Sequence, residues 1–155
     1  MFFKSMELGS LSGHAAGRKL LEELYRGQTG CDLPEIKVTP RGKPYFLSSD
    51  WHFSISHTKR RAFCVLSDKP VGIDAETLDR PVDLRLAEKI LSAKEKAQYD
   101  AAPDKRIALL TFWVLKEAAA KRTGEGIRGY PNHTEFDLAD PRVKIIDNHL
   151  VAIIE

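Results

Sequence analysis

The segment VGIDAE (71–76) carries two carboxylates, Asp74 and Glu76, two residues apart in a stretch typical of a β-strand. Side chains alternate along a strand, so both carboxylates would lie on one face, roughly 7 Å apart. Mg²⁺ takes oxygen ligands of this kind together with substrate phosphates and water. A solvated strand with outward acidic residues explains the same spacing, so both interpretations stay open. Gly72 could let a ligand approach the backbone beside this pair.

A second segment, FWVLKEAAAK (112–121), combines one carboxylate with two ammonium groups on a predicted helix. Trp113, Glu117 and Lys121 are four residues apart and stack on one face, whereas Lys116 lies about 100° round the helix axis from Glu117. One interpretation is an ordinary pair between Glu117 and Lys121, which stabilises a helix by about 0.2–0.5 kcal/mol. The other is that Glu117 supplies a third metal ligand or a base, while Lys116 and Lys121 neutralise phosphate oxygens.

Two further polar segments could contact an anion. In FSISHT (53–58), Ser56 and His57 are adjacent on a predicted strand and point to opposite faces, which argues against a nucleophile–base pair. At the strand end both could donate a hydrogen bond to a phosphate, although a polar strand end is the simpler interpretation. In RGKP (41–44), Gly42 would let a backbone N–H approach a phosphate and Lys43 would add charge. An ordinary surface turn explains those residues equally well.

The elements that must position these segments mix helices and strands without strict alternation, so the predicted fold class is α+β. Apolar spacing predicts helices over 11–25 and about 104–122, and shorter helices between Pro81 and the longer helix at 104–122. Ser92 and Glu95 form a predicted capping box at one of the shorter helices. Period-two patterns predict strands over 35–38, 52–56, 61–67 and 70–76. No linker divides the chain, so we expect one domain over 1–155.

Turn residues mark where these elements should end. Gly27 is expected to follow the first helix, and Gly124 with Gly126 to follow the longest one. Strands are also predicted over VKII (143–146) and HLVAII (149–154). Between them, Asp147 and Asn148 tolerate left-handed backbone, which predicts a hairpin. No internal sequence repeat is visible.

Composition narrows the classes of function. The chain has 155 residues, is 43% hydrophobic and 30% charged, and has a net charge of +2 with a pI of about 8.5. That charge is too small to predict nucleic-acid binding and suits an anionic small molecule or an acidic protein partner. Only Cys31 and Cys64 occur, without a CxxC motif, which favours a reducing cytoplasm. No stretch reaches the roughly 20 apolar residues of a membrane span, so no membrane partner is expected.

The motifs GKP, FSISHT, VGIDAE and FWVLKEAAAK, in this order, resemble those of the 4′-phosphopantetheinyl transferase superfamily between Gly17 and Gly126. The resemblance implies transfer of the phosphopantetheine arm of coenzyme A to a serine of an apo acyl, peptidyl or aryl carrier protein, with Mg²⁺ as cofactor. The order, with Lys43 and His57 before Asp74, is similar to the surfactin-synthetase-activating branch. That branch implies a monomer with two pseudo-symmetric α+β halves, approximately 1–69 and 70–155.

The resemblance also implies a role for each matching residue. The metal ligands would be Asp74, Glu76 and Glu117. Glu117 would also be the candidate base, acting with Lys121 as the catalytic pair. Contacts to the pyrophosphate would come from Lys116 and Lys121. Contacts to the other phosphates of coenzyme A, including the 3′-phosphate, would come from Lys43, Ser56 and His57. Arg18 would pack near the adenine.

Alternatives accompany this assignment. The segment ahead of the first helix is shorter than in that branch, so we expect a minimal enzyme or one that oligomerises to complete its site. A non-catalytic module that binds coenzyme A or a carrier protein is one alternative, and a trimeric holo-acyl-carrier-protein synthase is another. Lys59, Arg60 and Arg61 form a cationic cluster that could help an acidic carrier protein to dock.

Overall fold

The computed structural model of the chain describes residues 1–125 and 134–155, and these residues mix helices and strands as predicted. The strands are β1 (Phe2–Glu7), β2 (Ile36–Val38), β3 (Pro44–Phe46), β4 (His52–His57), β5 (Arg61–Ser67), β6 (Gly72–Thr77), β7 (Val143–Ile146) and β8 (His149–Ile154). The helices are α1 (Gly13–Thr29), α2 (Ala87–Ile90), α3 (Ala93–Ala101) and α4 (Lys105–Thr123). A single 3₁₀ turn, Leu84–Leu86, precedes α2.

The strands form two three-stranded antiparallel sheets, in the orders β1-β5-β4 and β6-β8-β7, and a separate β2–β3 hairpin. In both larger sheets the first strand pairs with the last, and the last pairs with the strand before it. The same connectivity therefore occurs twice along the chain, which confirms the predicted pair of α+β halves. The predicted division at 69/70 falls in the loop between β5 and β6 and stays a prediction.

Helix ends follow local signals. The Ser12 hydroxyl accepts a hydrogen bond from the backbone of Ala15 at 3.1 Å and so caps α1. The predicted end of this helix at Gly27 is wrong, because α1 runs on to Gly30, whose φ of 70° forms the C-cap. Gly124 ends α4 in the same way with a φ of 77°. Gly126, the second predicted stop, lies outside the described residues.

The predicted hairpin at Asp147–Asn148 and the predicted capping box at Ser92 are both confirmed. Asp147 and Asn148 have φ values of 46° and 62° and join β7 to β8. Ser92 and Glu95 form the predicted capping box of α3. Strands β1 and β3 were not predicted. The alternating exposure of Phe2–Glu7 becomes meaningful only once β1 pairs with β5.

Three apolar clusters hold these elements together. One lies between α1 and the β5–β4 sheet, a second surrounds α4, and a third lies between the two sheets, with Phe63 and Ile73 fully buried in it. Helix α4 packs directly on β6 because Gly72 has no side chain: a methyl group there would overlap the backbone of Ala118 and Arg122. The hypothesis that Gly72 admits a ligand is therefore wrong, since α4 occupies that space.

Candidate active site

The candidate site lies where strand β4 of the first sheet runs beside strand β6 of the second. Two buried serine side chains join these strands: the Ser54 hydroxyl accepts from the backbone N–H of Ile73 at 3.1 Å, and the Ser56 hydroxyl accepts from that of Ala75 at 3.2 Å. Ser54 and Ser56 share a face of β4 because they are two residues apart. The segments FSISHT and VGIDAE thus meet along one seam.

Asp74 is held at this seam by two groups that act on the same oxygen. The Ser56 hydroxyl donates to Oδ1 of Asp74 at 3.0 Å, and the Lys121 ammonium donates to it at 2.6 Å. Oδ2 of Asp74 is buried and has no hydrogen-bond partner among the described residues. A buried carboxylate oxygen without a partner is costly, so this oxygen is suited to accept a cation or a donor from a ligand.

All three predicted carboxylates line one cavity of about 330 Å³. Asp74 and Glu76 reach it from β6, and Glu117 reaches it from α4 together with Trp113 and Lys121. The spacing of four residues on α4 explains why these last three side chains share one face. The structure therefore brings a carboxylate cluster and a lysine together from two distant parts of the sequence.

Glu117 is the carboxylate most affected by this environment. Burial raises the pKa of Glu117, and the negative charge of Asp74 raises it further, while Lys121 and Arg80 act in the opposite direction. Its carboxylate has no hydrogen bond or ion pair within the part of the chain that the structure describes. The simpler interpretation, a Glu117–Lys121 pair, is wrong in this structure because Lys121 bonds to Asp74 instead.

Arg80 is a site residue that the sequence did not reveal. Its guanidinium forms an ion pair with Glu76 and lies over the Trp113 ring, 5.8 Å from the ring centroid. It also lines the carboxylate cavity. The only available signal was its position four residues after Glu76, just before Pro81.

The chemistry of the cavity fits a hard divalent cation. Across residues 1–125 and 134–155, no group of three or more His, Cys, Asp or Glu side chains is arranged to hold a metal ion. In this arrangement Lys121 and Arg80 neutralise Asp74 and Glu76. Oδ2 of Asp74 and the carboxylate of Glu117, which lack partners among residues 1–125 and 134–155, supply the oxygen donors that Mg²⁺ prefers.

A second cavity of about 250 Å³ adjoins the first. The turn with Arg41, Gly42 and Lys43 forms one wall, and the carboxyl-terminal half of α4 forms the other. The two cavities share Glu117 and Lys121, as well as Ile55, so they meet at α4. The groove formed by the two cavities has Arg41 and Lys43 at one end, and the three carboxylates with Lys121 and Arg80 at the other.

Lys43 is held against the end of α4. Its ammonium donates to the carbonyl oxygen of Arg122, and its stem passes over Gly124, where an added Cβ would lie 2.9 Å from Cδ of Lys43. Burial lowers the pKa of Lys43, and the positive charge of Arg122 lowers it further. An anion in the adjoining cavity would offset this repulsion.

The structure places Lys116 away from the groove. Its side chain is buried, its ammonium lies 2.8 Å from Oε2 of Glu95, and it donates to the carbonyl oxygen of Thr134 at 3.2 Å. Lys116 lines neither cavity. The reason is helical geometry: a residue about 100° from Glu117 faces α3 when Glu117 faces β6.

Ser56 and His57 are both at the carboxylate cavity, on opposite faces of β4 as predicted. Ser56 is buried, whereas His57 is exposed, with its ring so close to Gly13 at the start of α1 that a methyl group there would overlap it. Arg18 lies on the exposed side of α1, 3.8 Å from Glu22, and lines neither cavity.

The cationic cluster of the β4–β5 turn is largely paired with acids. Arg61 forms ion pairs with Glu7 at 3.6 Å and with Asp147 at 3.2 Å, which links β1 to the β7–β8 turn. Arg60 lies 3.8 Å from Asp79. This arrangement gives Arg61 a structural role, and docking of a carrier protein at this turn stays a prediction.

Comparison with known proteins defines the class of protein. Residues 70–151 match the family model of the 4′-phosphopantetheinyl transferase superfamily. The chain is 32% identical to the 4′-phosphopantetheinyl transferase psf-1 of Bacillus pumilus, over 76% of this chain and 51% of that protein. It is 33% identical to the 4′-phosphopantetheinyl transferase HetI of a Nostoc species, over 72% of this chain and 52% of that protein.

The chain therefore belongs to the 4′-phosphopantetheinyl transferase superfamily, which confirms the resemblance found in its four motifs. A Bacillus subtilis 4′-phosphopantetheinyl transferase is 35% identical over 58% of this chain and 41% of that protein. The chain spans about half the length of the curated relatives that it matches. No helix of the described residues combines the length and apolar character needed to cross a bilayer.

Proposed function

We propose that this protein transfers 4′-phosphopantetheine from coenzyme A to a serine of an apo carrier protein, leaving adenosine 3′,5′-bisphosphate. The observation that supports this most directly is that Asp74, Glu76, Glu117 and Lys121 line one cavity, which adjoins the cavity lined by Lys43. Carboxylates beside several cations in one groove suit a magnesium-bound pyrophosphate. Its relatives carry the name of this activity.

In this proposal Asp74, Glu76 and Glu117 would hold Mg²⁺, which would neutralise charge on the pyrophosphate oxygens. Oδ2 of Asp74 has no partner among the described residues, whereas Lys121 is paired with Oδ1 of Asp74 and Arg80 with Glu76. A cation that neutralised these carboxylates would weaken both ion pairs. Lys121 is then free to donate to a phosphate oxygen, which stabilises the charge that develops during transfer. The proposed contacts to the other phosphates of coenzyme A are Lys43, which lines the second cavity, and His57, which lines the carboxylate cavity.

Glu117 is the proposed proton acceptor, either directly or through water. The serine hydroxyl of the carrier attacks the phosphorus that bears the pantetheine arm, and the bond from that phosphorus to the bridging oxygen breaks. The serine proton passes to Glu117, and the electron pair of the broken bond leaves on adenosine 3′,5′-bisphosphate. In the metal-free protein, burial and the charge of Asp74 raise the pKa of Glu117. A bound cation would act in the opposite direction, so the position of Glu117 in the cavity is what supports this role.

We further propose one domain over 1–155 with halves near 1–69 and 70–155, acting in the cytoplasm. Cys31 and Cys64 are both free thiols, which suits a reducing compartment. Lys116 would contact the pyrophosphate if its ion pair with Glu95 opened. Arg18 would contact the adenine if the adenine reached the outer face of α1.

A binding module without turnover is the second candidate. The observation that favours it is that Lys121 and Arg80 already neutralise two of the three carboxylates. Intact-mass spectrometry of an apo carrier protein incubated with this protein, coenzyme A and Mg²⁺ separates the two. We expect the carrier to gain the mass of one phosphopantetheine, and to gain none when a chelator replaces Mg²⁺. Coenzyme A binding without any mass gain across several carriers would establish the binding module instead.

A further inference from the structure

We propose that Ser56 is a positioning residue that fixes the carboxylate of Asp74, and that it does not contact coenzyme A. This inference deepens the proposed function, because it concerns the carboxylate expected to hold the metal. It also revises the role that family resemblance implied for this serine.

The hydrogen bonds of the Ser56 hydroxyl carry the argument. A hydroxyl has one proton to donate and two lone pairs that accept. Its proton is directed to Oδ1 of Asp74 at 3.0 Å. One lone pair accepts from the backbone N–H of Ala75 at 3.2 Å, and the other accepts from the ammonium of Lys121 at 3.3 Å. All three capacities are used within the protein, so none remains for a phosphate.

Burial supports the same conclusion. Ser56 is only 5% exposed, and its hydroxyl lies in the seam between β4 and β6. Ser54 forms the equivalent bond to Ile73 two residues earlier, so the two serines together fix the register of β4 against β6. A phosphate that displaced Ser56 from Asp74 would have to break this seam.

These hydrogen bonds fix the orientation of the Asp74 carboxylate. Ser56 and Lys121 both bind Oδ1, which leaves Oδ2 as the oxygen without a partner among the described residues. If Lys121 moves to a phosphate, Ser56 is the one side chain of the described residues that still bonds Oδ1. A carboxylate anchored through one oxygen presents the other at a fixed position, as the outer partners of metal ligands commonly do.

The test measures Mn²⁺ affinity by electron paramagnetic resonance, with coenzyme A present, in wild type, Ser56→Ala, Ser56→Thr and Ser54→Ala. Ser54→Ala is the matched control, because Ser54 is equally buried and bonds the same seam but does not touch Asp74. We expect Ser56→Ala to weaken Mn²⁺ binding by about 10- to 100-fold, as for other outer-shell partners. Ser56→Thr, which keeps a hydroxyl, should retain the wild-type Mn²⁺ affinity, and Ser54→Ala should leave that affinity unchanged.

The kinetic split separates positioning from substrate contact. At saturating Mg²⁺, Ser56→Ala should leave the KM for coenzyme A unchanged and lower kcat. A raised KM with unchanged Mn²⁺ affinity would overturn the proposal, as would equal loss of Mn²⁺ affinity in Ser54→Ala. Urea unfolding verifies that each variant is folded. If Ser56→Ala is not, Ser56→Cys retains the size of the side chain with a much weaker donor and is expected to show the same loss of Mn²⁺ affinity.

The two proposals fail in different ways. If wild type binds Mn²⁺ through a Ser56-dependent site but transfers nothing, the proposed function fails and the positioning role stands. If wild type transfers phosphopantetheine and Ser56→Ala binds Mn²⁺ normally, the function stands and the positioning role is overturned. Absence of any Mn²⁺ binding by wild type also overturns the positioning role.

Discussion

The Lys121 ammonium lies 2.6 Å from Oδ1 of Asp74 and so joins α4 to β6 across the carboxylate cavity. Glu117, four residues earlier on the same helix face, faces Asp74 without an ion pair of its own among the described residues. In this structure a protein cation therefore lies at the carboxylate where the proposed function requires a metal. Lys121 would pass from a carboxylate to a phosphate during the reaction cycle.

Replacing Lys121 by Met should lower kcat for transfer by about 10²–10³-fold, the usual loss when one charge-stabilising group is removed from an active site. Lys121→Arg should retain part of the rate because it keeps the positive charge. Steady-state kinetics with coenzyme A and an apo carrier protein measure the effect. Lys144→Met, at an exposed lysine of β7, is the control and should leave the rate unchanged. A wild-type rate for Lys121→Met would remove Lys121 from the mechanism.

Replacing Lys116 by Met should destabilise the protein by about 3–5 kcal/mol, because it leaves Glu95 charged and buried without its partner. Glu95 also accepts backbone hydrogen bonds from Ser92 and Phe136, so the pair links α3, α4 and the segment beginning at Thr134. Urea unfolding measures the free-energy change. The double variant Glu95→Gln/Lys116→Met should recover part of the loss, since neither charge then remains buried.

A different result would restore the role implied by resemblance. If Lys116→Met is as stable as wild type but raises the KM for coenzyme A, then Lys116 contacts the substrate and the Glu95 pair is dispensable.

Replacing Gly72 by Ala should destabilise the protein by about 1–3 kcal/mol, the usual cost of overpacking, because the new methyl group would overlap the backbone of α4. Gly27→Ala is the control. Gly27 lies inside α1 with open space around it, so this substitution should stabilise the protein by about 0.5–1 kcal/mol. Thermal and urea unfolding compare the two. Equal stability of Gly72→Ala and wild type would mean that α4 does not pack on β6 as described.

Binding of coenzyme A at alkaline pH should take up a proton at Lys43. Burial and Arg122 lower the pKa of Lys43 in the free protein, so its amine is partly neutral as the pH rises through that lowered value. A bound phosphate favours the ammonium form and raises the pKa, so protons are taken up between the two values. Calorimetry in two buffers of different ionisation enthalpy measures this uptake. Lys43→Met should abolish the uptake and Lys37→Met should retain it; equal uptake in Lys43→Met would assign the proton elsewhere.

Local signals in the sequence were sufficient for much of the fold. The capping box at Ser92 and the left-handed turn at Asp147–Asn148 depend on neighbouring residues, and both are confirmed. The repeated sheet connectivity was not visible, because the two halves share an order of strands rather than a pattern of residues. Strand β1 becomes recognisable only through its pairing with β5.

The site, like the fold, combines features that local spacing predicts with contacts that depend on tertiary structure. Spacing along α4 was sufficient to place Glu117 and Lys121 on one face and Lys116 on another. Family resemblance, which compares residues one by one, grouped Lys116 with the pyrophosphate contacts despite that geometry. The contact between Ser56 and Asp74 joins residues of two different sheets, and no sequence spacing encodes which strands lie side by side.

The most direct test is a time course of intact carrier mass together with release of adenosine 3′,5′-bisphosphate, for wild type and for Glu117→Gln. Wild type with Mg²⁺ and coenzyme A should add one phosphopantetheine per carrier and release one nucleotide for each addition. Glu117→Gln should remain folded, because it retains the shape of the side chain, and should lose nearly all transfer. Wild type that binds coenzyme A but releases no nucleotide, or Glu117→Gln that matches the wild-type rate, would contradict the proposed mechanism.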